Sequence, residues 1–487
     1  MKKRTSPLTG RLSQALHPTA QSIVYPEQDE AVMLDVLTKL AILNEAHLIS
    51  LLKSKILPLD IVRKLLKSIA EIKKNSFDKL LLKPAERGSY LLFENYLTEK
   101  LGMEIAGSLH IGRSRNDINS TLFKLNLRNF YMVIYNNLCS LRATLLCKTR
   151  EYMNVAMPIY SQFQVAQVGT YAYYLLAIEE ALSRDQHYLR ELFSSLDECP
   201  LGAAAGCGSS FLIDRTLTAS LLGFSRSCAN ALDAVASRDL ALRMLGTLST
   251  LGTTLSRIAQ DYQLWTTQEF SFFELPDNLC GGSSMMPQKK NPYLLEVIKG
   301  KAASINGMLI QALTAMHNVP FSNSVEVGTH ALHGIEQALR NAGDILSLSE
   351  LLIRNAIPIE EQFIASINKG VAIAANVAEV FVKEKNIPFR QAHHDIGASI
   401  AQSITLKIDP ACEILKLAGD RFKNYKALYW AHLNEHGGGP GKSTSKKACQ
   451  NAEKRLAKDL AWIKAVEKGW AAAELKLEYN VKKIIKR

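Results

Sequence analysis

One segment rich in glycine and lysine combines side chains that can stabilise developing negative charge. It reads GGSSMMPQKKNP over residues 281–292, and Glu296 follows four positions later. Hydroxyls, ammonium groups, an amide and free backbone N–H groups are donors suited to an anionic intermediate. A plain linker would not explain the two methionines and the paired lysines. We therefore interpret the segment as a mobile catalytic loop that leads into a helix.

A second segment, GSLHIGRSRND over residues 107–117, concentrates guanidinium, hydroxyl, amide and imidazole groups. The planar fork of arginine matches carboxylates, and a helix start adds free N–H groups and a positive dipole end. We expect a helix start and a carboxylate-binding cradle here. The four-residue spacing of Arg113 and Asp117 is equally compatible with an ion pair on a helix surface.

A third segment, HGGGPGKS over residues 436–443, only partly matches a phosphate-binding loop. That pattern needs a glycine where His436 stands and a buried strand before it, whereas residues 431–435 are only weakly apolar. We predict a glycine-rich turn between two helices and no ATP binding.

Long helices must position these segments. Residues 85–157 and 201–275 contain no proline, which favours long helices over a sheet of many strands. In the second window apolar residues recur every three or four positions, and this predicts one helix of about 24 residues in a long bundle. The members of this stripe are Leu242, Leu245, Leu248, Leu251, Leu255, Ile258, Tyr262 and Trp265.

We predict an all-α fold in three domains. Residues 1–110 would form an N-terminal helical domain of short segments, because prolines interrupt them repeatedly. Residues 111–360 would form a central bundle of long helices. Residues 361–487 would form a C-terminal helical domain with a basic tail.

The net charge of +12 on 487 residues is confined to the two chain ends. Residues 1–11 hold four basic and no acidic side chains, and residues 442–487 hold 13 basic against five acidic ones. The body between them is electroneutral. We interpret both ends as solvated and expect no nucleic-acid partner, because the positive charge that would support phosphate binding is in these ends and not in the body.

The chain lacks the sequence features of exported or membrane proteins. No stretch approaches the roughly 18 apolar residues that cross a membrane, and the first residues contain no secretory apolar run. The eight cysteines lie at least eight residues apart, so no pair has zinc-binding spacing. We predict a cytoplasmic protein with free thiols and no membrane partner.

Residues 282–292 resemble the signature GSSxMPxKxNP of the fumarase/aspartase superfamily and match each of its fixed positions. Other segments are similar to the argininosuccinate lyase family within it. They are LHIGRSRND at 109–117, SRD at 237–239, EFSF at 269–272 and IPFRQAHH at 387–394. The resemblance implies a fumarase/aspartase-like fold with a long central bundle and a homotetramer whose active sites each use segments from three subunits. It implies no metal and no organic cofactor.

The resemblance also implies a reaction: elimination of fumarate from an N-succinyl compound, so the partner would be a small dicarboxylate substrate. Ser283 matches the base that removes a proton beside a carboxylate. Serine is a poor base at its free pKa, so Lys289 and the loop amides would have to stabilise its alkoxide. Lys289 and Asn291 match the residues that hold the carboxylate where charge develops. The family's substrate-binding residues are matched by Ser114, Arg115 and Asn116.

The sequence departs from the family where the proton is delivered. The family has Thr-His, with the histidine as general acid and paired to the glutamate that matches Glu296. This chain has Ser161, which keeps the hydroxyl, and Gln162, which has no titratable proton. Loss of a general acid typically costs about 100-fold to 10,000-fold in rate.

Two further departures remove polar groups that bind the substrate in the family. A carboxylate-and-histidine element is replaced by Gly-Ser-Tyr at residues 88–90. The tyrosine, glutamine and lysine of the family's substrate loop fall on Asn323, Gly328 and Ala331, of which Asn323 keeps a polar side chain.

Three interpretations remain open from the sequence. The chain is an argininosuccinate lyase with another acid, such as a protonated Glu296; a lyase for a related succinyl-amine; or a noncatalytic relative with a structural or partner-subunit role.

Overall fold

The computed structural model of the chain describes residues 16–486 except 84, 86 and 423. The basic segment 1–11 lies outside the described residues. Helices form most of the described structure, and its strands occur as four two-stranded pairs. The predicted all-α class is therefore confirmed.

Short and medium helices in the first part of the chain surround a cluster of buried leucine, isoleucine and aromatic side chains. Helix α2 is capped by Asp29, whose carboxylate accepts a hydrogen bond from Ala31 N at 2.8 Å. The helices are α1 (Pro18–Val24), α2 (Glu30–Lys53), α3 (Leu59–Lys74), α4 (Asp78–Leu81), α5 (Ser89–Leu101) and α6 (Met103–Ala106), with a 3-10 turn at Gly107–His110.

Five long helices and two short ones follow. They are α7 (Arg115–Glu151), α8 (Tyr171–Leu196), the short α9 (Arg215–Leu221) and α10 (Ala231–Ala236), then α11 (Asp239–Trp265), α12 (Tyr293–Met316) and α13 (Ile335–Asn355). The predicted apolar stripe lies on α11, which is 27 residues long. All members of the stripe except Leu242 are buried, so the prediction of a bundle helix is confirmed.

The last part of the chain packs five shorter helices around a third group of buried side chains, and one long helix ends the chain. The helices are α14 (Glu360–Lys369), α15 (Ala374–Lys385), α16 (Phe389–Leu406), α17 (Pro410–Ala418), α18 (Ala427–His432) and α19 (Lys442–Lys486), and a 3-10 turn at Asp420–Phe422 lies between α17 and α18. Earlier in the chain, a 3-10 turn at Asp277–Leu279 precedes α12, and a π-helical turn at Glu326–His330 precedes α13.

Helix α19 corrects one prediction. The basic stretch from residue 442 onward is not a solvated end, because residues 442–486 form a single helix of 45 residues. Cys449, Ala452 and Leu456 pack into the core of the long helices, while Leu477 and Val481 pack into the N-terminal cluster. A regular apolar stripe within a strongly basic sequence produces this docking.

The strands are short and pair locally or between loops. The longest pair is the hairpin of β1 (Ala156–Ser161) and β2 (Gln164–Thr170), which is antiparallel. The others are β3 (Glu198–Cys199) with β4 (Arg226–Ser227), β5 (Phe273–Glu274) with β8 (Ile357–Pro358), and β6 (Gly281–Gly282) with β7 (Lys290–Asn291).

No single helix in the described part of the chain is long and apolar enough to cross a membrane. The helices Glu360–Lys369 and Ala374–Lys385 reach the required length and composition only together, with a 63° bend between them. The division into three domains stays a prediction.

Helix α8 carries one buried carboxyl group with an unusual environment. Asp185 is 5% exposed, and its Oδ2 atom has no hydrogen-bond partner among the described residues. Burial raises the pKa of Asp185 from 3.8 to about 6, although Arg184 opposes the shift. Between about pH 4 and pH 6, Asp185 is therefore protonated in the folded state and ionised in the unfolded state.

We expect the substitution Asp185→Asn to stabilise the protein in a pH-dependent manner. Because the pKa of the folded state is the higher one, stability falls as pH rises from about 4 to 6 and stays low above that range. The variant should gain about 1–2 kcal/mol at pH 7.5 after allowance for solvent screening, and nothing near pH 4. Thermal unfolding at both pH values measures the difference. The exposed Asp233→Asn should show no such gain, and an equal gain for Asp185→Asn at both pH values would contradict the assignment.

Candidate active site

The segment that carries Ser283 is a hairpin loop between β6 and β7. Gly281 and Gly282 pair with Asn291 and Lys290, and the residues between them form the exposed loop. Lys290 Nζ lies 2.8 Å from the carboxylate of Asp277, which raises the pKa of Lys290. This ion pair fixes the second lysine at the base of the loop, so Lys289 is the lysine left to meet a ligand.

The hydroxyl of Ser283 is held by the loop itself. Its Oγ accepts hydrogen bonds from the backbone N–H groups of Met285 at 3.3 Å and Met286 at 3.0 Å. Two amide donors on one oxygen are the arrangement that stabilises an alkoxide. Asn291 Nδ2 lies 3.5 Å from the carbonyl oxygen of Gly282 and closes the base of the hairpin. Lys289 is exposed, and its side chain has no partner in the described structure.

Glu296 lies in the first turn of α12, directly after this loop. Its Oε1 accepts a hydrogen bond from Gln263 Nε2 of α11 at 3.4 Å. The prediction of a loop that leads into a helix is confirmed, and the carboxylate faces the same end of the bundle as the loop. Gln263 was not predicted from the sequence, because it lies 33 positions before Glu296 and only the packing of α11 on α12 brings them together.

The predicted helix start in the RSRND segment is confirmed. Ser114 caps α7, and its Oγ accepts from Asn116 N at 3.3 Å, while the carboxylate of Asp117 accepts from Ser114 N at 2.9 Å. This reciprocal arrangement is a capping box. Arg115 is exposed at the first helical position, so its guanidinium is available to a ligand beside the positive end of the helix dipole.

Asp117 and Arg113 do not form the surface ion pair that their spacing permits. Asp117 is fully buried, and its Oδ2 accepts from the backbone N–H groups of Gly202 at 2.8 Å and Ala204 at 3.0 Å. It therefore fastens a distant loop to the start of α7. The Ser-x-x-Asp pattern predicts the capping box, but no local pattern predicts the bonds to Gly202 and Ala204.

A buried polar cluster lies behind the cradle. Arg113 is 4% exposed and lies 5.8 Å from the ring of Tyr90, whose hydroxyl contacts His110 Nδ1 at 2.5 Å. Burial and the nearby arginines lower the pKa of His110 to about 4. His110 is therefore neutral at physiological pH, and the positive charge at this end of α7 comes from the arginines.

The third predicted group, Ser161 and Gln162, lies at the tip of the β1–β2 hairpin. Gln162 and Phe163 form its two-residue turn with φ of 50° and 61°. Both values fall in the left-handed region, which costs non-glycine residues about 1 kcal/mol or more. Positive φ at both central residues is what the favoured two-residue hairpin turn requires, and this turn holds the two exposed side chains outward.

The last predicted substrate residue, Asn323, is exposed in the loop after α12. The two other positions of the family's substrate loop follow it. Gly328 lies in the π-helical turn and has no side chain, and Ala331 is 3% exposed. Of these three positions, only Asn323 presents a polar side chain to solvent.

One chain does not bring all these groups together. Helix α7 is about 54 Å long, with Arg115 at its start. The backbone N–H of Val155 bonds to the carbonyl oxygen of Tyr152, so the chain is still beside the helix end there, and the seven residues from Val155 to Gln162 span at most about 25 Å. Arg115 and Gln162 of the same chain therefore stay more than about 20 Å apart, which exceeds the combined reach of their side chains and one small dicarboxylate. Ser283, Lys289, Asn291 and Glu296, by contrast, lie within one loop and the helix that follows it.

The glycine-rich segment 436–443 is a turn between α18 and α19, as predicted. The carboxylate of Glu435 accepts from Ser443 N at 3.1 Å and Thr444 N at 3.0 Å. The N–H groups at the start of α19 that a phosphate would need are thus already bonded. No cluster of three or more His, Cys, Asp or Glu among the described residues is arranged to hold a metal ion.

Five long helices form the core of the bundle, and the GSS loop and the RSRND helix start lie outside that core. Together they define a lyase fold of the fumarase/aspartase type. Comparisons with known proteins agree. A solved structure of an EDDS lyase variant with bound fumarate aligns with a TM-score of 0.84 at 26% identity and covers 98% of each chain. A class II fumarase from Schistosoma mansoni aligns with a TM-score of 0.65 at 18% identity, covering 81% of this chain and 90% of that one, and shows the shared fold.

The chain belongs to the lyase family, whose model, described as "Lyase", matches residues 23–307. Argininosuccinate lyase from Methanoculleus marisnigri is 36% identical over 396 residues, which is 78% of this chain and 79% of that one. Argininosuccinate lyase from Aquifex aeolicus is 36% identical over 361 residues, which is 73% of this chain and 77% of that one. The chain is therefore a divergent member of the argininosuccinate lyases.

Proposed function

We propose that this protein is a cytoplasmic carbon–nitrogen lyase that releases fumarate from an N-succinyl amine, with argininosuccinate as the first candidate substrate. The observation that carries the proposal is the Ser283 loop. Its hydroxyl oxygen accepts two amide N–H groups, and Lys289 and Asn291 lie on the same hairpin. The argininosuccinate lyases to which the chain is similar supply the substrate class.

The proposed reaction begins at Ser283. Its alkoxide removes a proton from the carbon beside a carboxylate, and the electron pair of that C–H bond moves into the carboxylate. Lys289 and Asn291 stabilise the resulting dianionic form. The electrons then form the carbon–carbon double bond, the C–N bond breaks, and its pair leaves with the nitrogen, which takes up a proton as the amine departs. Ser114, Arg115 and Asn116 hold a carboxylate at the positive end of α7.

Proton delivery to the amine must differ from that of an enzyme with histidine at position 162. The amide of Gln162 can donate a hydrogen bond but cannot give up a proton at neutral pH. We propose that Glu296 delivers the proton and that Gln263, which donates to its Oε1, orients the carboxyl group. An amine that needs less protonation would relax this demand. A noncatalytic role is the alternative, and the lack of an imidazole at residue 162 favours it.

We further propose a homotetramer with shared active sites. Arg115 and Gln162 cannot meet within one chain, so a complete site needs more than one subunit. Helix α12 also exposes an apolar face with steps of three and four residues, which suits helix pairing between subunits. A Cβ atom at either glycine of this face would meet nothing within 4 Å in the single chain. The face consists of Tyr293, Val297, Gly300, Ala303, Gly307, Ile310 and Leu313.

The substitution Ser283→Ala should abolish fumarate release from argininosuccinate or from a panel of other N-succinyl amines. Removal of the base should lower the rate about 100-fold to 10,000-fold. Ultraviolet absorbance of fumarate measures it. The control is Ser194→Ala, the same change at an exposed serine of α8. If no panel member gives a signal above that of Ser283→Ala, the protein is not a fumarate-releasing lyase and the noncatalytic alternative holds.

Two substitutions separate the possible proton donors. Glu296→Gln should lower turnover about 100-fold to 10,000-fold, because its proton is the one delivered. Gln162→His should raise turnover by restoring a titratable donor at the hairpin tip. Gln402→His, on an exposed face of α16, should change nothing. Unchanged rates for both Glu296→Gln and Gln162→His would mean that proton delivery is not limiting.

Mixed oligomers test the shared site. Arg115 and Ser283 also lie far apart in one chain: Arg238, just before α11, donates to Ser120 near the start of α7, whereas Gln263, which bonds to Glu296 after the Ser283 loop, lies about 36 Å further along α11. Arg115→Ala and Ser283→Ala proteins should each be inactive, but equal mixtures that are dissociated and reassembled should recover about a quarter of the sites. The control mixture combines Ser283→Ala with Lys289→Ala, in which each loop carries a defect because both residues lie on it, and it should stay inactive. Failure of the first mixture to recover activity would contradict sites shared between subunits.

A further inference from the structure

A cleft of about 600 Å³ lies beside the β1–β2 hairpin, and no step of the proposed reaction uses it. We call it the hairpin cleft. Its walls are the hairpin, the segment 269–272 and helix α14. Its volume is in the range of small-molecule sites. The EFSF segment, which the catalytic proposal leaves without a role, forms one of these walls.

One wall of the hairpin cleft is aromatic and rigid. The ring of Tyr160 lies 6.2 Å from that of Phe270 and 6.3 Å from that of Phe272, and the two phenylalanines are 5.4 Å apart. The hydroxyl of Tyr160 is 3.1 Å from Ser366 Oγ of α14, which fastens the hairpin to that helix. Such rings provide a surface for an apolar side chain.

The hairpin also rests directly on the end of α14. A Cβ atom at Gly370 would come within 2.6 Å of Val165 Cβ, so only glycine permits this approach. The cleft is therefore a built feature of the packing between the hairpin and the C-terminal helices.

Two opposite charges lie on the rim of the cleft. Glu269 and Lys369 both line it and are both exposed. Neither has an ion-pair or hydrogen-bond partner within the described ranges 16–83, 85, 87–422 and 424–486. A carboxylate and an ammonium group that do not pair with each other are free to bind the two ends of a zwitterion. A nucleotide would fit poorly, because its phosphate would face the like charge of Glu269 with Lys369 as the one positive charge. A purely apolar ligand would pair with neither charge.

We propose that the hairpin cleft binds a free α-amino acid with an apolar side chain. The ammonium group of the ligand pairs with Glu269, its carboxylate pairs with Lys369, and its side chain packs on Tyr160 and Phe270, whose rings rest on the buried Phe272. Gln164 and Gln362 line the same cleft and supply amide groups to the ligand's polar end. None of the residues that line the cleft belongs to the Ser283 loop, and the proposal does not depend on the proposed reaction.

Calorimetric titration of the full-length Ser283→Ala protein, in its native oligomeric state, tests the proposal without turnover. The probes are L-phenylalanine, N-acetyl-L-phenylalanine, which lacks the ammonium charge, and L-phenylalaninamide, which lacks the carboxylate. We expect each modified probe to bind about tenfold more weakly than L-phenylalanine. Glu269→Gln should weaken L-phenylalanine by a similar factor and leave N-acetyl-L-phenylalanine unchanged. Lys369→Met should weaken L-phenylalanine and leave L-phenylalaninamide unchanged.

Matched controls come from α15, where Glu379→Gln and Lys383→Met remove the same charges at exposed positions away from the cleft. Neither should alter binding of any probe. The proposal is overturned if L-phenylalanine does not bind, as would occur if a second copy of the chain covers the cleft. It is equally overturned if the two cleft variants weaken all three probes alike, or no more than the α15 controls do.

Discussion

The bundle depends on one buried guanidinium. Arg142 of α7 is fully buried, and each of its five N–H groups has an acceptor. Its Nε donates to Glu179, and its Nη2 donates to Glu179 and Ser183. Its Nη1 donates to Gln186 at 2.9 Å and to Asp459 at 2.8 Å. Breaking a buried ion pair leaves an uncompensated charge and costs about 3–5 kcal/mol. Arg142 therefore requires both α8, which carries three of the acceptors, and α19, which carries Asp459. The three helices must dock together.

This requirement explains why a basic chain end becomes part of the core. Asp459 satisfies Arg142, and Arg455, one turn earlier, pairs with Glu179 at 3.1 Å and also with Glu180. The apolar face of α19 then covers the long helices, and its lysines remain on the outer face. The positive charge of residues 442–486 thus belongs to the solvated side of an amphipathic helix.

Local patterns predicted much of the fold and of the site, and long-range pairs account for what they missed. The stripe on α11, the cap at Ser114 and the loop before α12 each depend on residues a few positions apart, so their spacing reveals them. The bonds from Arg142 to Asp459 and from Asp117 to Gly202 join residues 317 and 85 positions apart. No period or motif encodes such a pair, because it exists only after the helices have packed. The same limit hid the docking of α19, whose composition alone indicated a solvated end.

The long helices also explain how the chemistry of this fold can change without loss of its stability. They form the core, whereas Ser161, Gln162, Ser283 and Asn323 lie in turns and loops outside it. Gln162 in particular is exposed at the hairpin tip, and its strain belongs to the backbone turn rather than to the identity of its side chain. Exchange of histidine and glutamine there changes an exposed side chain and leaves every buried contact in place. The helices that carry the apolar core therefore fix where the loops and helix ends lie, and substitutions at those exposed positions change the available side chains without disturbing the core.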